Sequence, residues 1–260
     1  MRSILVQAGQ DRQNSARLDT ALAITRSTGG HLTLLIDTPL DPYVTINPYG
    51  GTYVATHALE EAIAADNALA EALEGKLAAG DVPFDVCKME GPPLDAMLVA
   101  AGLADLIVVS RGCGYAGDLA IEANCPVLVL GAAPLPMPFE VACVGWDGGI
   151  QCARALRGAM PLLKACNDVR VLTVDKGDNG DFPQTDPLRY LASHGIKAEL
   201  TQLPKGKSVE DTISGEVARL DAQLLVMGAY SHTRLREFVF GGVTRHFLEL
   251  AAGPALLLAH

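Results

Sequence analysis

The chain has 260 residues, of which 49% are hydrophobic, 19% charged and only 5% aromatic, a globular composition with room for two ordinary domains. A formal charge of -10 excludes broad nucleic-acid binding, which depends on many Lys and Arg contacts to phosphate. No apolar run reaches the roughly 18–20 residues of a membrane helix, and the six cysteines show no CxxC spacing, so the expectation is a cytoplasmic protein with reduced thiols and no membrane partner.

The first apolar run, SILVQAGQ, reads as a strand. It leads into the helical pattern SARLDTALAITRS and then the β-branched run HLTLLID. DTPLDPYVTINPYGGTYV carries Pro and Gly punctuation without a period and reads as a loop. THALEEAIAADNALAEALEGKLAAG places Ala and Leu on a helical stripe, with Gly80 as a C-cap. VPFDVCKMEG, ADLIVVSRG and CPVLVLG follow as strands.

The same order is then repeated. VACVGWDGG answers the first strand, CARALRGAMPLLKA the first helix, and VRVLTVD the second strand. Gly9 and Asp147, like Asp37 and Asp175, are separated by 138 residues. IKAELTQLPKG, AQLLVMGAY and GPALLLA complete the second copy. Residues 1–133 and 138–260 therefore read as two related domains, joined by the Pro/Ala-rich GAAPLPMP. Strands alternating with helices predict an α/β fold, with two tandem doubly wound parallel five-stranded sheets and helices on both faces. The apolar last strands, hazardous as bare edges, are expected to pair with each other inside the chain.

The copies differ where open parallel sheets place their ligands, at the carboxyl ends of the strands. Asp147 stands where the first copy has Gly9, and Gly228 where it has Ser110. From Gly228 to Gly253 is 25 residues, but from Ser110 to Cys125 only 15. The extra segment holds Gly241, Gly242 and Thr244. Glycines let backbone N–H groups converge on an anion, and a following helix adds its positive dipole end and free N–H groups. The competing reading makes Gly241-Gly242 a helix C-cap and Thr244 the next N-cap. Neither a Walker A motif nor a G-x-G-x-x-G occurs. Arg234, Arg236 and Arg245 flank the glycines as phosphate contacts or exposed helical arginines. His232 and His246 lack metal-ligand spacing.

The stretch Gly228, two residues, Ser231, nine residues, Gly241, Gly242 resembles the G-x2-G-x9-G-[ST] signature of the universal stress protein family, and the whole chain resembles its tandem members. Ser231 replaces the second glycine and Gly242 the Ser/Thr, whose hydroxyl Thr244 can replace. The resemblance implies an adenine-nucleotide alpha-hydrolase-like fold and a regulatory stress-response protein binding ATP, usually with a divalent ion such as Mg²⁺. It further implies Asp147 on the nucleoside, Gly145 and Trp146 on the base side, Val174 and Met227 against the base, and Gly228, Ser231, Gly241, Gly242, Val243 and Thr244 around the phosphates. Only the C-terminal copy would bind. Trp146 alternatively belongs to the core, and Asp147 to a helix cap. The other functional readings are an interaction or scaffold protein with both sites degenerate, and a slow nucleotide hydrolase. A homodimer is compatible with all of them.

Overall fold

The strands form where apolar residues run without interruption, because a central parallel strand is covered on both faces. The computed structural model describes residues 1–46, 50–174, 182–230 and 242–260. The first half runs β1 (Ser3–Ala8), α1 (Asn14–Thr28), β2 (His31–Thr38), β3 (Val44–Ile46), β4 (Thr52–Val54), α2 (Thr56–Leu77), β5 (Phe84–Glu90), α3 (Pro93–Ala100), β6 (Leu106–Ser110), α4 (Ala116–Glu122) and β7 (Val127–Leu130). The second runs β8 (Phe139–Gly145), α5 (Ile150–Leu163), β9 (Cys166–Val174), α6 (Asp186–Ser193), β10 (Ala198–Leu203), α7 (Val209–Arg219), β11 (Leu224–Gly228), α8 (Gly242–Glu249) and β12 (Ala255–Ala259).

Ten strands make one sheet in the order β10-β9-β8-β11-β12-β7-β6-β1-β2-β5. Within each half the strands are parallel, in the order third, second, first, fourth, fifth. The halves meet at β12 and β7, which pair antiparallel with Leu256 opposite Val129, Leu257 opposite Leu128, and Leu258 opposite Val127. Each of these six side chains is fully buried. Two apolar edges thus cover each other, as the sequence pattern predicts. The antiparallel seam also sends the carboxyl ends of the two strand sets to opposite margins of the sheet. The outermost strands, β5 and β10, alternate between half-buried and exposed positions and carry Asp85, Lys88, Glu90 and Glu199, charges that discourage further strand addition.

One face is covered by α1, α2, α5 and α6, through residues such as Ile24, Leu73, Leu156 and Leu191. The other is covered by α3, α4, α7 and α8, through Met97, Leu119, Val217 and Phe247. Helix α7 starts on a side-chain cap, with the Ser208 hydroxyl accepting from the Asp211 N–H at 3.0 Å, which satisfies one of the free amides of the first turn.

Three sequence expectations change. The 37–54 loop contains a short antiparallel hairpin, β3 with β4, built from Val44, Thr45 and Ile46 against Thr52, Tyr53 and Val54. Helix α2 ends at Leu77, and Gly80 closes a turn behind it by donating to the Leu77 carbonyl at 2.8 Å. The linker is part of the fold: Leu135 is buried, and its N–H donates to Thr20 Oγ1 on α1 at 2.9 Å. Across the halves, Arg111 donates to the carbonyls of Leu250 at 3.0 Å and Pro254 at 2.5 Å, and burial pulls its pKa down.

Candidate nucleotide site

Each half has a switch point where its first and fourth strands lie side by side and their crossovers leave in opposite directions, the usual ligand crevice of such sheets. In the second half β8 pairs with β11 there, and in the first β1 pairs with β6.

In the second half, Gly145 ends β8, Val174 ends β9, and Met227 and Gly228 end β11. These four sequence-selected residues come together on adjacent strands, with Val174 and Met227 both against the α7/α8-side core. Asp147 follows at the turn into α5. Its Oδ1 accepts from the Gly149 N–H at 2.8 Å, so the carboxylate organises the backbone entering the helix. It also lies beside Cys152, whose thiol is pushed up to about 12, first by burial and then by the Asp147 charge. That thiol remains protonated and inert at neutral pH.

Gly228 has a packing role that the sequence alone does not reveal. A Cβ there would lie 2.7 Å from the Cys152 nitrogen and 2.8 Å from the Gln151 carbonyl carbon. The glycine lets the first turn of α5 sit directly on the end of β11. Gly228→Ala therefore forces helix and strand apart and should cost about 1–3 kcal/mol, the usual range for overpacking. Urea denaturation measures it, and an unchanged midpoint would refute this account.

Trp146 packs in the core, the alternative placement that the sequence also allows. It is 6% exposed, packs among α5 and its neighbours, and meets Phe182 at a ring-centroid distance of 6.4 Å. Its indole is large and apolar, and the position after Gly145 turns it into the α5 side of the sheet. Among the described residues its buried Nε1 has no hydrogen-bond partner.

On the phosphate side, Ser231 and Gly241 lie outside the described residues, as do His232, Arg234 and Arg236. Gly242 opens α8, Val243 is half-buried, and Thr244 is buried. The Thr244 hydroxyl accepts from the Tyr230 N–H at 3.4 Å, which leaves its own proton available to donate. A Cβ on Gly242 would come 3.8 Å from Glu210 Oε1, so a carboxylate stands near the amino end of α8. Arg245 is exposed and paired with Glu249 at 2.7 Å, the surface-helix arrangement.

The first half fills its own crevice. Arg17, on α1, is 1% exposed. Its Nε donates to the Gln7 carbonyl at 2.8 Å, its Nη1 to Asp11 Oδ1 at 2.9 Å and to Ser110 Oγ at 2.5 Å, and its Nη2 to Asp11 Oδ2 at 2.5 Å. The planar fork grips the carboxylate with both arms and bridges the ends of β1 and β6. Gly9 leaves space for this pair, since a Cβ there would be 3.2 Å from Asp11 Oδ2. Around it, Gln7 Nε2 donates to Asp37 Oδ1 at 3.4 Å, and burial raises the Asp37 pKa. The contrast of Gly9 and Ser110 with Asp147 and Gly228 is legible in the sequence; the inward turn of Arg17 is signalled only by its place on the stripe of α1 that carries Ala21 and Ile24, where Ala155 stands 138 residues later.

Among the described residues no His, Cys, Asp and Glu group could hold a metal ion, and no helix is long and apolar enough to cross a membrane. His246 bonds to Ser214, Nε2 to Oγ, at 2.9 Å.

No protein-family model matches the sequence, and no curated protein matches it. Solved structures do. A universal stress protein from Archaeoglobus fulgidus DSM 4304 superposes with a TM-score of 0.76 at 13% identity, covering 99% of this chain and 96% of that one. A provisionally named universal stress protein from Pseudomonas aeruginosa UCBPP-PA14 gives 0.56 at 17% identity, covering 100% and 93%. The cytoplasmic domain of a prokaryotic cation chloride cotransporter gives 0.50 at 14%, covering 99% and 94%, so this architecture is not tied to one role. The repeated strand order, the seam between the last strands and the full-length superposition agree: this chain has the fold of the universal stress proteins, with the five-stranded parallel unit occurring twice.

Proposed function

We propose that the chain is a cytoplasmic stress-response or regulatory protein that binds one adenine nucleotide, ATP, in its C-terminal half. The observation that supports this reading is the one-sided chemistry of the two crevices. In the N-terminal crevice Arg17 donates to both Asp11 and Ser110 between the strand ends. In the C-terminal half, alanine stands at position 155 and glycine at 228.

The residues present fit a nucleotide. Val174 and Met227 offer apolar surface for a base, Asp147 a carboxylate for a ribose hydroxyl, and α8 its amino end and the Thr244 proton for phosphate. Ser231, Gly241, Gly242 and Val243 would complete the phosphate side. Bound ATP supplies a ligand-dependent conformation rather than a reaction in this reading. The Glu210 carboxylate repels a polyphosphate at the same helix end, so Mg²⁺ strengthens binding by offsetting that charge.

Isothermal titration with ATP tests the proposal. The expected result is a stoichiometry near one, tighter with Mg²⁺ than with EDTA, and lost in Val174→Arg. Glu210→Gln should narrow the difference between Mg²⁺ and EDTA. A stoichiometry near two, or binding unaffected by Val174→Arg, rejects the site. A flat titration favours the alternative of an interaction protein without nucleotide. That alternative has its own support, because Asp147 and Thr244 already serve the local backbone through Gly149 and Tyr230.

A further inference from the structure

A separate cleft of about 740 Å³ lies at the other end of the second half, where α7 and α8 finish and β11 and β12 begin. Val217 and Ala218 of α7, with Phe247 and Leu250, face the linker across it. The linker wall is fixed by the buried Leu135 and its bond to Thr20. This volume lies within the range of small-molecule sites.

The polar groups of the cleft narrow the ligand class. Ser214 and His246 bond to each other at 2.9 Å. Gln223 Oε1 accepts from the Val141 N–H at 2.8 Å. Asp221 differs: it is exposed, sits just beyond α7 in a left-handed conformation with φ 49, and has no ion-pair partner among the described residues. Its backbone N–H donates to the Ala218 carbonyl at 3.1 Å, which ties the residue to the helix end. Both helices direct their carboxyl ends, with partial negative charge, toward this region. Among the described residues no Lys or Arg lines the cleft. Arg111 approaches the 250–254 turn but donates to two of its carbonyls.

An apolar cleft with one unpaired carboxylate at its rim is complementary to a molecule with an apolar body and a cationic end. We propose that the cleft between the linker, α7 and α8 binds a small apolar amine, with its alkyl or aryl part against Val217, Phe247 and Leu250 and its ammonium at Asp221.

The test uses the full chain and three probes of equal length, n-octylamine, n-octanol and n-octanoate, titrated at low ionic strength. Octylamine should bind one per chain, about fivefold more tightly than octanol, the upper range for an exposed ion pair, with octanoate weakest. Asp221→Asn should bring octylamine to the octanol level. Ala218→Trp changes an exposed position and should abolish binding of all three while circular dichroism and the melting temperature stay unchanged. Octanoate binding as tightly as octylamine overturns the proposal, as does binding indifferent to Ala218→Trp or no octylamine binding at millimolar concentration. A self-associated chain that Ala218→Trp dissociates also overturns it, by making the cleft an interface between copies.

Discussion

Leu257→Asp is expected to destabilise the whole chain by about 4 kcal/mol or more, the range reached when an unpaired charge is forced into a core. Leu257 is the middle residue of β12 at the seam, opposite Leu128, and both are 0% exposed. Helices cover the sheet on both faces there, so the carboxylate finds neither water nor a cation among the described neighbours. Leu257→Val, which keeps the surface apolar, should cost only about 1 kcal/mol. Urea denaturation followed by circular dichroism separates the two. The damaged seam should also uncover the apolar edges of β7 and β12, so self-association should rise in gel filtration. If Leu257→Asp costs no more than Leu257→Val, the seam does not hold the halves together.

Arg17→Ala is the second large effect, at about 3 kcal/mol, the lower end for removing one partner of a buried ion pair. The lower end applies because Asp11, at 48% exposure of its side chain, can turn to water once its partner is gone. Ser110 and the Gln7 carbonyl are deeper and lose their donor. Arg17→Lys should recover only part of the stability, because an ammonium cannot reproduce the planar fork. The pair also predicts a pH dependence. The hydrogen bond from Arg17 is the largest influence holding the Asp11 carboxyl below its usual value. Its folded-state pKa is thus depressed, so the pair's contribution is complete above the unfolded value of about 3.9 and disappears as pH falls through the folded value. Stability measured from neutral pH down to pH 3 should therefore fall more steeply in the natural chain than in Arg17→Ala. Parallel curves would mean that Arg17 and Asp11 are not coupled.

Much of the architecture was legible because it depends on local patterns. Runs such as LIVV and LLVM carry nothing polar, so they mark central strands. Their repetition with the intervening helices marks two units. CPVLVLG and GPALLLA are too apolar to remain as edges, and they cover each other. The 37–54 segment was harder, since Pro42, Pro48, Gly50 and Gly51 obscure two three-residue strands that stabilise each other only as a pair.

The site was less legible, because the same residue type serves different neighbours. Gly228 reads as space for a ligand, and only the fold shows α5 packed against it. Trp146 reads as either a stacking surface or a core ring, and only the fold shows its ring beside Phe182. Arg17 looks like one more helical arginine, yet its helix turns it inward onto residues from β1, the following turn and β6. Of the residues assigned to the phosphates, Ser231 and Gly241 lie outside the described residues.

By itself the sequence determined the α/β class, the repeated strand–helix pattern, the ten strands of the main sheet and the pairing of the last strands, because periodicity and apolar burial act through near neighbours along the chain. Only the tertiary structure decided that an arginine occupies the N-terminal crevice, that Gly228 serves helix packing, and that the linker walls a second cleft. Those outcomes depend on distances between residues tens of positions apart, such as Arg17 and Ser110, and it is the folded sheet that sets such distances.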